Sequence, residues 1–135
     1  MRTHVVPLVV VVFLWGCAGP REASTYEVSG AVTWAGAPLD DGEILFTALD
    51  GSAAPAIGRI ENGRYTAWSP RGMKNVSIRA SRLIPGSKGA NGEPIHDNVI
   101  PDRYNVRTTL TADIRTDREN RFDYALEADA AARGK

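Results

Sequence analysis

Ala56-Ile57-Gly58-Arg59-Ile60-Glu61-Asn62-Gly63-Arg64-Tyr65-Thr66-Ala67-Trp68 is the stretch that decides the fold. Asn62-Gly63 is the strongest short hairpin signal, because both central residues of such a two-residue turn need positive φ. The flanking runs 56–61 and 64–68 are then antiparallel strands, and outward from them the hydrophobic period stays at two. Upstream, Tyr26, Val28, Gly30, Val32 and Trp34 alternate with Glu27, Ser29, Ala31 and Thr33, the pattern of a strand with one buried face. The turn-rich stretch 35–42 reverses the chain, and a strand over 43–49 puts Ile44, Phe46 and Ala48 on one side. Downstream, Ser69-Pro70-Arg71-Gly72 turns the chain again, and 74–83 alternates Val76, Ile78 and Ala80 against Ser77, Arg79 and Ser81. The last two strands are 110–116, with Leu110, Ala112 and Ile114 inward, and 121–127, with Phe122, Tyr124 and Leu126 inward.

Each of these seven short strands has one apolar face that only a second layer can cover. The chain is therefore predicted to be all-β, an antiparallel seven-stranded β-sandwich over 25–127. Residues 128–135 read as a disordered tail. Residues 85–107 hold three Pro, three Gly and no period, which predicts a long loop without regular structure. A loop of that length is uncommon in a compact domain unless it is functional. Within it, 100–105 is expected to be structural, with Pro101 and Tyr104 as an anchor, and 86–94 to be mobile and the better contact site.

At 135 residues, 43% hydrophobic and 24% charged, with 13 Gly and 8 Pro, the composition suits one globular domain with many turns. The 16 basic and 16 acidic residues cancel and are interleaved, so the clustered Lys and Arg that nucleic acid binding requires are missing. The single cysteine, Cys17, allows neither a disulfide within the chain nor a thiolate metal cluster.

Residues 1–16 have the order of a secretory leader: Arg2 near the start, an apolar stretch of 11 residues over 5–15, and the small Gly16 before Cys17. Spanning a bilayer takes ~20 apolar residues, so the stretch is too short for a transmembrane anchor. Leu14-Trp15-Gly16-Cys17 resembles the bacterial lipobox. That resemblance implies cleavage before Cys17, a diacylglycerol on its thiol, and an envelope location with the membrane as first partner. Two acyl chains meet the requirement for stable anchoring. Residues 17–24, small and polar without period, are then a tether between lipid and domain.

Further residues carry a family likeness. Ser29-Gly30-Ala31-Val32, Gly36-Ala37-Pro38-Leu39 and Gly42-Glu43-Ile44-Leu45-Phe46 resemble the opening of carboxypeptidase regulatory-like domains. Gly63-Arg64-Tyr65, Pro70-Arg71-Gly72, Ile100-Pro101-Asp102-Arg103-Tyr104-Asn105 and Asn120-Arg121-Phe122-Asp123-Tyr124-Ala125-Leu126 agree with it. The arrangement looks most like the small lipoproteins of this kind in planctomycetes. The resemblance implies a transthyretin-like (prealbumin-like) sandwich and a non-catalytic binding or interaction module. Hydrolases of purine degradation share that fold and are the enzymatic alternative. They need several histidines and a C-terminal Tyr-Arg-Gly-Ser, of which this chain has His96 and Arg133-Gly134.

No Gly-x-Ser-x-Gly elbow, Walker loop or His-Glu-x-x-His helix occurs, so no catalytic residue, metal or cofactor is expected. His96 beside Asp97 could in principle pair as a base and its orienting group, and Asp40, Asp41 and Asp50 could gather calcium. Loop polarity and turn formation explain both sets more simply. Trp34 and Trp68 could be flat platforms for a sugar ring, although an aromatic at a strand end more often closes a core. The binding candidates are therefore Ser87, Lys88, Asn91 and Glu93 in the loop, for an envelope protein, and Trp68, for a glycan.

Overall fold

The computed structural model describes residues 23–129; the leader 1–16, Cys17 with the tether to residue 22, and the tail from residue 130 lie outside them. Eleven strands follow in order: β1 Thr25–Trp34, β2 Ala37–Pro38, β3 Asp41–Ala48, β4 Ala56–Glu61, β5 Arg64–Pro70, β6 Gly72–Arg79, β7 Ser81–Lys88, β8 Pro94–Asn98, β9 Thr111–Ile114, β10 Asn120–Arg121 and β11 Tyr124–Leu126. A single 3-10 turn, Asp102–Tyr104, interrupts them.

The fold is an all-β sandwich built mostly of antiparallel strands. One continuous sheet, in the order β10-β1-β5-β4-β3-β6-β9, curls until its two halves face each other, and β2 and β11 add to β1. Alternate residues of every long strand turn to the concave side, so Val28, Val32, Ile44, Phe46, Ile60, Tyr65, Ala67, Val76, Ile78, Ile114 and Leu126 form one core. Phe46 on β3 and Tyr65 on β5 meet across it with ring centroids 6.0 Å apart. Each fully buried aliphatic or aromatic side chain contributes ~1.5 to 3 kcal/mol, which makes this shared face the main source of stability.

The β4–β5 hairpin is as the sequence dictates. Asn62 and Gly63 have φ of 50° and 75°, and Glu61 pairs with Arg64. β3 pairs with β4 on one side and β6 on the other, not with β1. After the reversal at Ala35-Gly36 the chain crosses the tip of that hairpin, where Gly63 N donates to Leu39 O (2.8 Å) and Asn62 N donates to Asp40 O (2.8 Å). Leu39 is buried beneath this crossing. The molecule thus has two poles. Thr25, Pro70 and Lys74 mark the one where β1 begins; Asn62, Asp41 and Arg79 mark the other.

Three expectations need correction. The layers are two halves of one curled sheet, with more strands than seven, because β4 bridges β5 and β3 without a break. The final run 121–127 is not one strand. It splits into β10 and β11, both parallel to β1, because Phe122 N donates to Ser29 O (2.9 Å) and the Asp123 carboxylate accepts Ala31 N (2.8 Å) between them. Residues 85–107 are not a structureless loop. β6 ends at Arg79 because the backbone of Ala80 is taken by Asn98 and Val99, and β7 then pairs with β8 in a separate two-stranded arm. Past the arm, Ile100 and Asn105 are buried. Asn105 Nδ2 donates to Ile100 O (2.9 Å) and Pro101 O (3.1 Å), so 100–105 is structural as expected. Tyr104 packs against the core, and its hydroxyl accepts Glu127 N (3.0 Å).

Candidate functional site: the outer face of the sheet

The convex side of the curled sheet carries the alternate residues that the core leaves over. Glu27 on β1 lies beside Trp68 on β5, and Leu45 on β3 lies between Ile57 on β4 and Ser77 on β6. Continuing the Arg59–Thr66 pairing by two residues sets Ile57 beside Trp68. One cross-strand row therefore reads Glu27, Trp68, Ile57, Leu45, Ser77. Trp68 is 59% exposed and Ile57 62%, so an aromatic and an aliphatic side chain stand in water on neighbouring strands.

The next row is polar: Ser29, Thr66, Arg59, Glu43, Arg79. Arg59 donates to Asp41 (3.2 Å) and approaches Glu61 (3.0 Å). Such exposed pairs add at most ~1 kcal/mol each and can be exchanged for a ligand. A shallow concavity of about 520 Å3, lined by Asp41, Glu43, Ile57, Arg59, Arg79 and Ser81, joins the two rows. It offers two carboxylates and two guanidinium groups, a balanced set of hydrogen-bonding groups, with Ile57 between it and Trp68.

The two tryptophans separate cleanly. Trp34 is half-buried against the core, its Nε1 is enclosed without a partner, and the Arg82 guanidinium lies 5.2 Å from its ring centroid. It closes the core rim and offers no platform. Trp68 alone of the pair is largely exposed.

Ser87, Lys88, Asn91 and Glu93 gather at the tip of the β7–β8 arm, on a different sheet from Trp68. Their order is local. Gly89 N donates to Glu93 O (2.8 Å), and the Glu93 carboxylate accepts Asn91 N (3.0 Å), so Glu93 holds the turn as well as facing solvent. His96 and Asp97 are neighbours on β8 and so point to opposite faces, which rules out their acting as a catalytic dyad. Asp40 and Asp41 sit at the start of β3 and Asp50 beyond its end, so they do not share a site. Asp50 caps its own turn, and the Ser52 hydroxyl together with the Ser52 N–H that it accepts (3.0 Å) holds its carboxyl below the usual range. Among the described residues no three His, Cys, Asp or Glu side chains converge on a point where a metal could sit.

Sequence reasoning missed Arg59, Glu43 and Arg79. The signal was available, since outward positions of adjacent strands are neighbours, but it could be used only with the register known.

The chain matches no protein-family model and no curated protein. Among solved structures it is similar to a 9R-lipoxygenase from Cyanothece at 12% identity and a TM-score of 0.37, over 82% of this chain and 18% of that one. This chain spans less than a fifth of the enzyme's length, and a likeness at that score carries no argument about fold or activity.

Proposed function

We propose that the chain is a lipid-anchored, non-catalytic binding module of the bacterial cell envelope, and that its outer sheet face takes a neutral carbohydrate. The observation that carries the ligand reading is Trp68, exposed in a row with Ile57 and bordered by the concavity of Asp41, Glu43, Arg59 and Arg79. An indole face stacks on the apolar side of a sugar ring, and its desolvation favours whatever covers it. Carboxylates and guanidinium groups at the ring's edge accept from and donate to vicinal hydroxyls in pairs. Their charges balance, which suits a polyhydroxylated ligand without net charge better than an acidic one.

The anchor reading rests on the leader and on Leu14-Trp15-Gly16-Cys17. β1 begins at Thr25, so a short tether from Cys17 would hold the Thr25 pole towards the membrane. Trp68, paired with Glu27 two residues from that pole, would then lie on the membrane-near part of the outer face, within reach of glycans at the envelope surface.

Two measurements test the halves separately. Labelled palmitate is expected to enter the wild-type chain and not Cys17→Ala; equal labelling, or none in either, ends the anchor reading. On an array of neutral and acidic oligosaccharides the wild type is expected to bind neutral members. Trp68→Ala should lose at least about tenfold in affinity, the loss of ~1.4 kcal/mol expected for an aromatic contact. Array silence from the wild type would leave protein capture through the arm tip, the competing reading for Ser87, Lys88, Asn91 and Glu93, as the function to pursue.

A further inference from the structure

The β7–β8 arm stands outside the curled sheet as a ribbon of two strands, a number that is marginally stable by itself in water. It nevertheless carries Leu83, 52% exposed, with Ile84 and Ile95 each 37% exposed. Residues 81–83 pair with 98–96, and the same register carried one step further sets Ile84 opposite Ile95. Arg82 and Asp97 share that face. The ribbon therefore has an apolar pair and no third strand, and its Arg82 guanidinium is engaged with the Trp34 ring.

The hydrogen-bond phase identifies which edge is open. Val99 N donates to Ala80 O (2.9 Å), so the ladder alternates to turn the backbone groups of Asp97 and Ile95 towards β7. The N–H and C=O of His96, and the N–H of Asn98, are left on the outer edge of β8. The outer edge of β7 is blunted, because Pro85 has no N–H and the register shifts between Leu83 and Lys88. β8 has no such interruption from Ile95 to Asn98.

We propose that the open edge of β8 pairs antiparallel with β8 of a second copy of this chain, about a two-fold axis through His96. His96 of each copy then exchanges N–H and C=O with the other. Asn98 N–H of each donates to the C=O of Pro94 in the other, giving four hydrogen bonds and needing no donor from Pro94. A second copy fits because an isologous contact requires a self-complementary surface. The arm's charges, Arg82 and Lys88 against Glu93 and Asp97, balance within it. Ile95 faces Asp97 across the axis and His96 faces His96, so no carboxylate, ammonium or guanidinium group is set directly opposite its like. The joined ribbon has four strands with Ile84 and Ile95 of both copies along one face, enough for a stable small sheet. The contact is smaller than the ~1,200 Å2 of a permanent interface, so pairing depends on concentration. It requires neither the lipid anchor nor the glycan reading.

The test uses the full chain, titrated across a wide concentration range and treated with a short bifunctional thiol reagent. In a Cys17→Ser background, His96→Cys is expected to give a cross-linked pair of chains, and the Cys17→Ser parent, which has no thiol, serves as the control and should give none. Adding Ile84→Ser and Ile95→Ser should remove the pair. His96→Pro, read by sedimentation, should be monomeric at concentrations where the wild type is dimeric, because it deletes only a donor that is idle in the single chain. Circular dichroism checks that each variant retains its strands. A folded His96→Cys chain that never cross-links to itself overturns the proposal. So does cross-linking to a different protein, which assigns the edge to a foreign strand, and so does a dimer that survives His96→Pro.

Discussion

At the scale of single residues, Gly30 shows how little space separates the elements. A Cβ there would stand 1.8 Å from the carbonyl oxygen of Phe122, on backbone that cannot move aside without parting β10 and β11 from β1. The same carbonyl accepts the Tyr65 hydroxyl at 2.7 Å, so three segments far apart in sequence meet at one oxygen. Gly30→Ala is expected to cost about 3 kcal/mol, at the upper end of what overpacking a core costs, and chemical denaturation of the variant against the wild type measures it. The tyrosines report on pH. Burial raises the ionisation of Tyr65 far above the ordinary phenol range and pushes Tyr124 up to about 12. A raised native pKa gives stability that is complete below the unfolded value near 10 and is lost as pH climbs through the native one. Stability should therefore fall between pH 10 and about 12, with the phenolate absorbance of Tyr124 rising near the top of that window and that of Tyr65 only on unfolding. If Tyr65 ionises reversibly near 10 in the folded chain, its hydroxyl is not held as described. Gly30 was legible in the sequence as an inward strand position. The reason for glycine was not, because its neighbour Phe122 is distant in the chain.

Among the elements, the contrast between two hairpins explains what sequence pattern can and cannot deliver. β4–β5 has one face buried and one wet, so period two is written along it, and Asn62-Gly63 marks its turn. The β7–β8 arm is exposed on both faces, so burial imposes no alternation, and its Pro and Gly residues read as loop. Exposure on both sides also means that the arm adds little to the fold. Joining Leu83 to His96 through Asn-Gly in place of 84–95 should change unfolding free energy by under ~1 kcal/mol, the scale of a loop-closure difference. A much larger loss in thermal unfolding would show that the arm packs on the core. Tyr104→Ala should behave in the opposite way. It removes an aromatic that lies against the core and accepts Glu127 N, and a cost of ~3 kcal/mol is expected. The segment 100–105 was legible from its apolar and proline content, although Asn105, which ties it together through its side-chain amide, was not singled out.

For the molecule as a whole, the decisive fact is how a single curled sheet treats its two ends. β9 and β10 are the terminal strands, and edges of this kind are templates for pairing with other chains. Here the ends are brought together by side chains. Asn120, buried, accepts Arg115 N through Oδ1 (2.8 Å) and donates through Nδ2 to Arg115 O (3.0 Å), so its amide imitates one rung of a ladder. The Tyr124 hydroxyl donates to Thr111 O (3.3 Å) one step further along. No pattern along the chain marks this role, since Asn120 reads as one more turn residue after Asp117-Arg118-Glu119. Only the parallel placement of β10 on β1 carries it to the gap. Removing the amide takes two part-buried hydrogen bonds from the Arg115 backbone, each worth ~0.5 to 1.5 kcal/mol net. Asn120→Ala is therefore expected to lower unfolding free energy by ~1 to 3 kcal/mol in a urea titration, and to speed hydrogen exchange at the Arg115 amide. Asn120→Asp keeps the acceptor for Arg115 N but sets a carboxylate oxygen against the Arg115 carbonyl, so it should be no more stable than Asn120→Ala. The exchange separates closure from simple side-chain loss. If Asn120→Ala is destabilised while the Arg115 amide stays as protected as in the wild type, the ends are held by packing of Ile114 and Leu126, and the amide is not the clasp.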